Sequence, residues 1–116
     1  MHHKESKIQQ NSVRWFRYQY PDYILFSIPN GGRRGKTEAS IMKGEGVLAG
    51  VADLFLAMPS KNFHGLFIEM KTEKGRQTES QKRFEERAIT SGYCYKICRS
   101  IDEFIDTTNK YLNINK

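Results

Sequence analysis

Cysteine is scarce in this sequence, with only Cys94 and Cys98 among 116 residues. Both fall in YCYKICR, where a strand rising ~3.3 Å per residue would hold them about 13 Å apart, beyond disulfide reach. They read as two half-buried thiols, and a zinc site would ask for about four ligands. Proline is as sparse, at three residues, and each one closes a periodic stretch: Pro21, Pro29 and Pro59. Long apolar runs are missing altogether. No window nears the ~18 apolar residues of a membrane span, and MHHKESKIQQ lacks the apolar core of a signal peptide. The expectation is a soluble, cytoplasmic protein with no membrane partner.

The length fits one domain over residues 1–116, with one modest core. Against 13 acidic residues stand 19 Lys and Arg, a formal charge of +6. That balance suits a polyanionic partner without identifying it.

Residues 4–20, KESKIQQNSVRWFRYQY, contain no Gly or Pro, and Ile8, Ser12, Trp15 and Phe16 share one side at helical spacing. Pro21 and Asp22 end that helix. Residues 23–28 are aromatic and β-branched, as a strand requires, and Pro29 opens the turn cluster that closes it. A short helix fits TEASIMK within the Gly-rich, basic stretch 31–50. The apolar runs ADLFLAM (52–58) and GLFIEMK (65–71), joined through PSKN, predict a hairpin. In QTESQKRFEERAITS, Thr78 is an N-cap candidate, Phe84, Ala88 and Ile89 form the apolar side, and Gly92 follows as a C′ residue. Residues 93–99 alternate as a strand. Ser100 and Glu103 have capping-box spacing before a last helix carrying Ile101, Phe104, Ile105 and Leu112.

Within LFIEMKTEKGR (66–76), charges interrupt an apolar strand. Residues two apart in a strand face the same way, so Glu69 and Lys71 share a face opposite Ile68 and Met70. Antiparallel pairing through the hairpin would bring Asp53 opposite the Glu69 end of its neighbour. Two carboxylates that close repel unless a divalent cation neutralises both, and an all-oxygen site favours Mg²⁺ or Mn²⁺. Such a cation can activate water against a phosphodiester. Lys71 would add positive charge beside the scissile phosphate or orient the water. The bland alternative is a surface Glu-x-Lys pair worth roughly 0–1 kcal/mol.

GVADLFL at 50–56 followed by IEMKTEKGRQTESQ at 68–81 resembles the VRR-NUC family of the PD-(D/E)XK nuclease superfamily. Ala52 stands where the superfamily's name has Pro, which removes no ligand. The resemblance runs from about Glu5 to Leu112. It implies an α/β fold, a single restriction-endonuclease-like domain with an α-β-β-β-α-β core, a mixed sheet flanked by helices, and a C-terminal helix. It also implies a metal set of Asp53, Glu69 and the Met70 backbone carbonyl. Glu5, in the E-x-x-I-Q context of ESKIQ, joins directly or through water. Lys71 matches the catalytic lysine, and Gln81 a supporting glutamine.

NGGRRGKT at 30–37 falls short of a phosphate loop, because G-x-x-x-x-G-K-T would need Gly where Asn30 stands. Nucleoside triphosphate binding is therefore not expected. Arg33, Arg34 and Lys36, with Lys74 and Arg76 after the E-x-K motif, are the residues expected to meet DNA phosphates. Similar stand-alone proteins of the family look like Holliday-junction resolvases, which implies branched DNA and a C₂ homodimer. Aromatic candidates for that interface, Trp15, Phe16 and Tyr20, fit a core equally well. A flap, fork or single-strand nuclease would use the same site. A non-catalytic nucleic-acid-binding module would explain the charge but not the Asp53, Glu69 and Lys71 combination.

Overall fold

A computed structural model describes residues 3–29 and 35–113. Its elements run α1 (His3–Gln19), β1 (Leu25–Ser27), α2 (Lys36–Gly44), β2 (Leu54–Leu56), β3 (Leu66–Met70), α3 (Glu79–Thr90), β4 (Cys94–Cys98) and α4 (Ile101–Asn113). This is the expected α-β-β-β-α-β order with a short helix between the first two strands and a helix at the end. The strands lie in sequence order, with β1 antiparallel to β2, β2 antiparallel to β3, and β3 parallel to β4. The β3–β4 step is parallel because α3 carries the chain back across the sheet, as parallel neighbours require.

Period-two alternation divides the sheet into two unlike faces. Leu66, Ile68 and Met70 are fully buried and join Phe16, Leu54, Leu56, Phe104 and Leu112 in one core, under α1 and α4. Each such side chain contributes about 1.5–3 kcal/mol by leaving water. The opposite face carries Phe67, Glu69 and Lys71 towards α3, where Phe67 meets Phe84 edge-on at 4.9 Å. One face is therefore spent on cohesion, and the other is free for chemistry.

Helix α1 buries Ser12 and Phe16, with Ile8 and Trp15 partly buried beside them, as its spacing predicts. Trp15 and Tyr20 also pack against the core, and Phe16 is wholly inside it. Of the three aromatics considered for an interface, Phe16 is thus a core residue, and Trp15 and Tyr20 are half-buried against the core. The apolar side chains that stay exposed lie elsewhere, among them Ile24, Phe26, Ile41 and Leu48.

Helix α3 starts at Thr78, whose side chain accepts from the Gln81 N–H while the Gln81 side chain accepts from the Thr78 N–H. It ends where Gly92 adopts φ 93°, a left-handed conformation that only glycine takes cheaply. Ile89 departs from its expected place on the apolar side and is exposed, because α3 covers the sheet only along Phe84 and Ala88. At α4 half of the capping box forms. The Glu103 N–H donates to Ser100 Oγ at 3.1 Å, but the Glu103 carboxylate takes the Arg99 N–H at 2.7 Å.

Candidate active site

The register of the β2–β3 pair sets the site. Leu54 lies opposite Ile68, so Asp53, one residue outside β2, falls beside Glu69 and Met70 just past the last backbone pairing. Its carboxylate caps the strand: the Met70 N–H donates to Asp53 Oδ2 at 2.7 Å. In an extended strand the N–H and C=O of one residue point the same way, so the Met70 carbonyl also faces the Asp53 side.

Glu69 is only 2% exposed. Gln81 Nε2 donates to its Oε2 at 3.1 Å, and Lys71 Nζ stands 3.9 Å from that same oxygen. The other oxygen, Oε1, is buried with no hydrogen-bond partner. Burial, then the negative charge of Asp53 and the hydrogen bond to it that only a protonated Glu69 can make, push the Glu69 carboxyl up to about 8, against the pull of Lys71 and with a small further push from Glu5. A buried, half-satisfied carboxylate beside a second carboxylate is costly unless a proton or a cation sits between them.

That orphaned oxygen is a test of whether the donors fit a metal, and they do. Asp53, Glu69 and the Met70 carbonyl would offer oxygen alone, the ligand chemistry of Mg²⁺ or Mn²⁺. Glu5 lies half-buried in the first turn of α1 and reaches Glu69 through its charge. Among the described residues no group of three or more His, Cys, Asp and Glu side chains is gathered closely enough to hold an ion. The structure therefore brings Asp53 and Glu69 together and leaves Glu5 at one remove.

Lys71 is buried at 8% exposure and lies just past β3, its N–H donating to the Cys98 carbonyl at 3.0 Å. Gln81 serves two ends at once. Its carbonyl oxygen is held by the Thr78 N–H at 2.9 Å, so its amide nitrogen is left to face Glu69. Gly50 locks the same corner. Its φ is 86°, and a Cβ there would overlap the Ser80 carbonyl and stand 2.9 Å from the Gln81 nitrogen. The GVADL segment and the start of α3 can touch only because residue 50 has no side chain.

Of the basic residues expected at DNA, Lys36 is exposed at the start of α2, and Lys74 and Arg76 are exposed between β3 and α3. Arg33 and Arg34 lie outside the described residues. Sequence reading missed Tyr95, buried opposite Phe67, whose hydroxyl accepts from Gln77 Nε2 at 3.2 Å while Gln77 also donates to Glu85 at 2.9 Å. Burial foremost, and then Glu69, raise the Tyr95 hydroxyl above its ordinary range. Only the alternation of β4 could have flagged it, because its neighbours come from distant segments. Cys94 and Cys98 are free, as expected of two thiols on one strand, but both are buried rather than half-buried.

Among the described residues no helix is long and apolar enough to cross a membrane. No match was found among curated proteins. A solved structure described as a VRR_NUC domain protein superposes with a TM-score of 0.82 at 25% identity, covering 100% of this chain and 93% of that one. Another, described as a VRR_NUC domain, gives 0.61 at 19% identity over 93% of this chain and 97% of its own, a likeness of fold. The VRR-NUC domain family model matches residues 3–102, which takes in Glu5, the Asp53–Glu69–Lys71 corner and Gln81, so the chain belongs to the VRR-NUC domain family, a nuclease-type family.

Proposed function

We propose that this protein is a metal-dependent DNA endonuclease that hydrolyses phosphodiester bonds and selects four-way junctions. The observation that carries the reading is the buried Glu69 carboxylate, with one oxygen unpartnered, set between Asp53 and Lys71. A structural ion pair would not need the second carboxylate, and a binding module would need neither.

Asp53, Glu69 and the Met70 carbonyl would hold Mg²⁺ or Mn²⁺, with Glu5 joining through water. When bound, the cation supplies Lewis acidity toward a phosphoryl oxygen and lowers the pKa of its water. The chain's own residues do the positioning. Lys71, anchored by its backbone to Cys98, presents an ammonium to the charge that builds on the phosphate during attack. Gln81 fixes the Glu69 carboxylate so that its free oxygen stays turned to the site. Lys36, Lys74 and Arg76, with Arg33 and Arg34, would meet phosphates flanking the one cut.

A junction has two equivalent strands to cut, which calls for two copies related by a two-fold axis. The side chains offered to a second copy are Ile24, just before the edge strand β1, and Phe26 on it, 61% and 43% exposed. Phe26 is the outer end of the aromatic row Phe26–Phe55–Phe67.

Cleavage of labelled junction, flap, single-stranded and duplex DNA, with and without Mg²⁺ or Mn²⁺, tests the whole reading. The expected result is a pair of symmetric nicks in the junction that requires the cation. Cleavage of flaps or single strands alone would remove the junction preference and keep the site; no cleavage of any substrate would remove the enzyme.

A further inference from the structure

We infer that Arg99 is a positioning residue of this site: it clamps the loop after Lys71 and thereby sets where the lysine ammonium and the wall of the neighbouring cleft stand. The inference rests on the nuclease reading of the Asp53, Glu69 and Lys71 corner.

One guanidinium nitrogen, Arg99 Nη1, donates to the carbonyls of Thr72 at 2.8 Å and Gly75 at 2.7 Å, with Glu73 further off at 3.3 Å. Charge-assisted bonds to backbone acceptors are about twice as strong as neutral ones. The loop is itself a turn, closed by the Gly75 N–H on the Thr72 carbonyl at 3.1 Å. Its carbonyls converge on a single cation, so the loop keeps its shape only while that cation is there.

The clamp acts on Lys71 from both sides. Upstream, the Lys71 N–H is held by the Cys98 carbonyl. Downstream, Arg99, the next residue after Cys98, holds Gly75, which stands one methyl's reach from the lysine stem: a Cβ there would make ordinary contact with Lys71 Cδ at 3.4 Å and approach Thr72 Oγ1 at 3.2 Å. Cys98, the last residue of β4, and Arg99 after it thus fix the lysine backbone and the loop that turns back beside the lysine stem. Arg99 is fixed in turn, since its N–H donates to Glu103 at 2.7 Å on α4.

The same loop forms one wall of a cleft of about 690 Å³ lined by Thr72, Glu73 and Lys74, with Lys4 and His3 of α1 on the other side. Releasing the clamp would therefore loosen Lys74 as well as Lys71. Lys71 serves the bond being broken and Lys74 a flanking phosphate, so the effects separate. Misplacement of the first slows the chemical step, and a single exposed phosphate contact changes affinity little.

The experiment compares wild type with Arg99→Met, Arg99→Lys and Gly75→Ala. It measures single-turnover cleavage of whichever DNA the wild type cuts, in Mn²⁺, affinity for that DNA in EDTA, and amide hydrogen exchange of residues 72–75. We expect R99M to lose about tenfold or more in rate with affinity within about threefold, and to lose protection at the Gly75 amide, whose N–H closes the turn. R99K restores part of both because an ammonium can donate to the same carbonyls, and G75A, whose methyl would meet Lys71 Cδ only at ordinary contact distance, cuts within about threefold of wild type. Wild-type rate in R99M, unchanged exchange, or a fall of rate and affinity in proportion would each overturn the assignment. Should the wild type cut no DNA, the nuclease reading falls, and the exchange data still decide whether Arg99 holds the loop.

Discussion

Gln81 reaches from the first turn of α3 to the buried carboxylate of Glu69, donating at 3.1 Å, while its own carbonyl caps the helix. Helix start and site are therefore one hydrogen-bonded unit. Gln81→Ala should cost about 1 kcal/mol of stability, the ordinary worth of such a bond, and should lower the cleavage rate at least about tenfold. Chemical denaturation and single-turnover kinetics check the pair, and a variant that loses stability but keeps its rate would confine Gln81 to capping.

Lys71→Ala and Glu69→Gln should each abolish cleavage while the far-ultraviolet circular dichroism stays native. Both side chains lie on the sheet face opposite Leu66, Ile68 and Met70, so the core is untouched. Near-wild-type cutting by either variant would sink the catalytic assignment.

The metal-free protein should lose stability as pH rises. In the unfolded chain the Glu69 proton leaves near 4.5, and in the folded chain near 8. Between those values the unfolded state binds fewer protons, so stability falls with pH, by at most about 1.4 kcal/mol per unit for one proton. Glu69→Gln, which cannot ionise, should flatten that slope. Mn²⁺ should stabilise the wild type more at pH 8 than at pH 6, because only the ionised carboxylate binds it. Urea titrations across pH 5 to 9 give all three results, and a slope unchanged in E69Q would place the titration elsewhere.

Arg33→Ala with Arg34→Ala should weaken DNA binding across sequences and reduce the slope of log affinity against log salt by about 1–2, since each phosphate contact releases about one counterion. An unchanged slope would place that loop away from DNA.

Light scattering should find a dimer if Ile24 and Phe26 meet a second copy, and Phe26→Glu should make it monomeric without unfolding it. A wild-type monomer that nicks junctions symmetrically would remove the need for the interface.

The sequence by itself determined everything that depends on neighbours along the chain. Strand periodicity put Glu69 and Lys71 on the face opposite Ile68 and Met70, the short connection through PSKN set Asp53 against Glu69, and Pro21, Thr78 and Gly92 marked where helices stop and start. Those signals are legible because backbone geometry repeats every two or 3.6 residues. Tertiary structure decided what has no local period. It buried Glu69 until one of its oxygens had no partner, turned the Gln81 amide toward it, pressed Gly50 onto Ser80, and placed Tyr95 behind the site. It also carried Arg99 to carbonyls 24 to 27 residues away in the chain. Each of these depends on how the elements pack and on which hydrogen-bond partner is left once they have, and no spacing in the sequence encodes that choice.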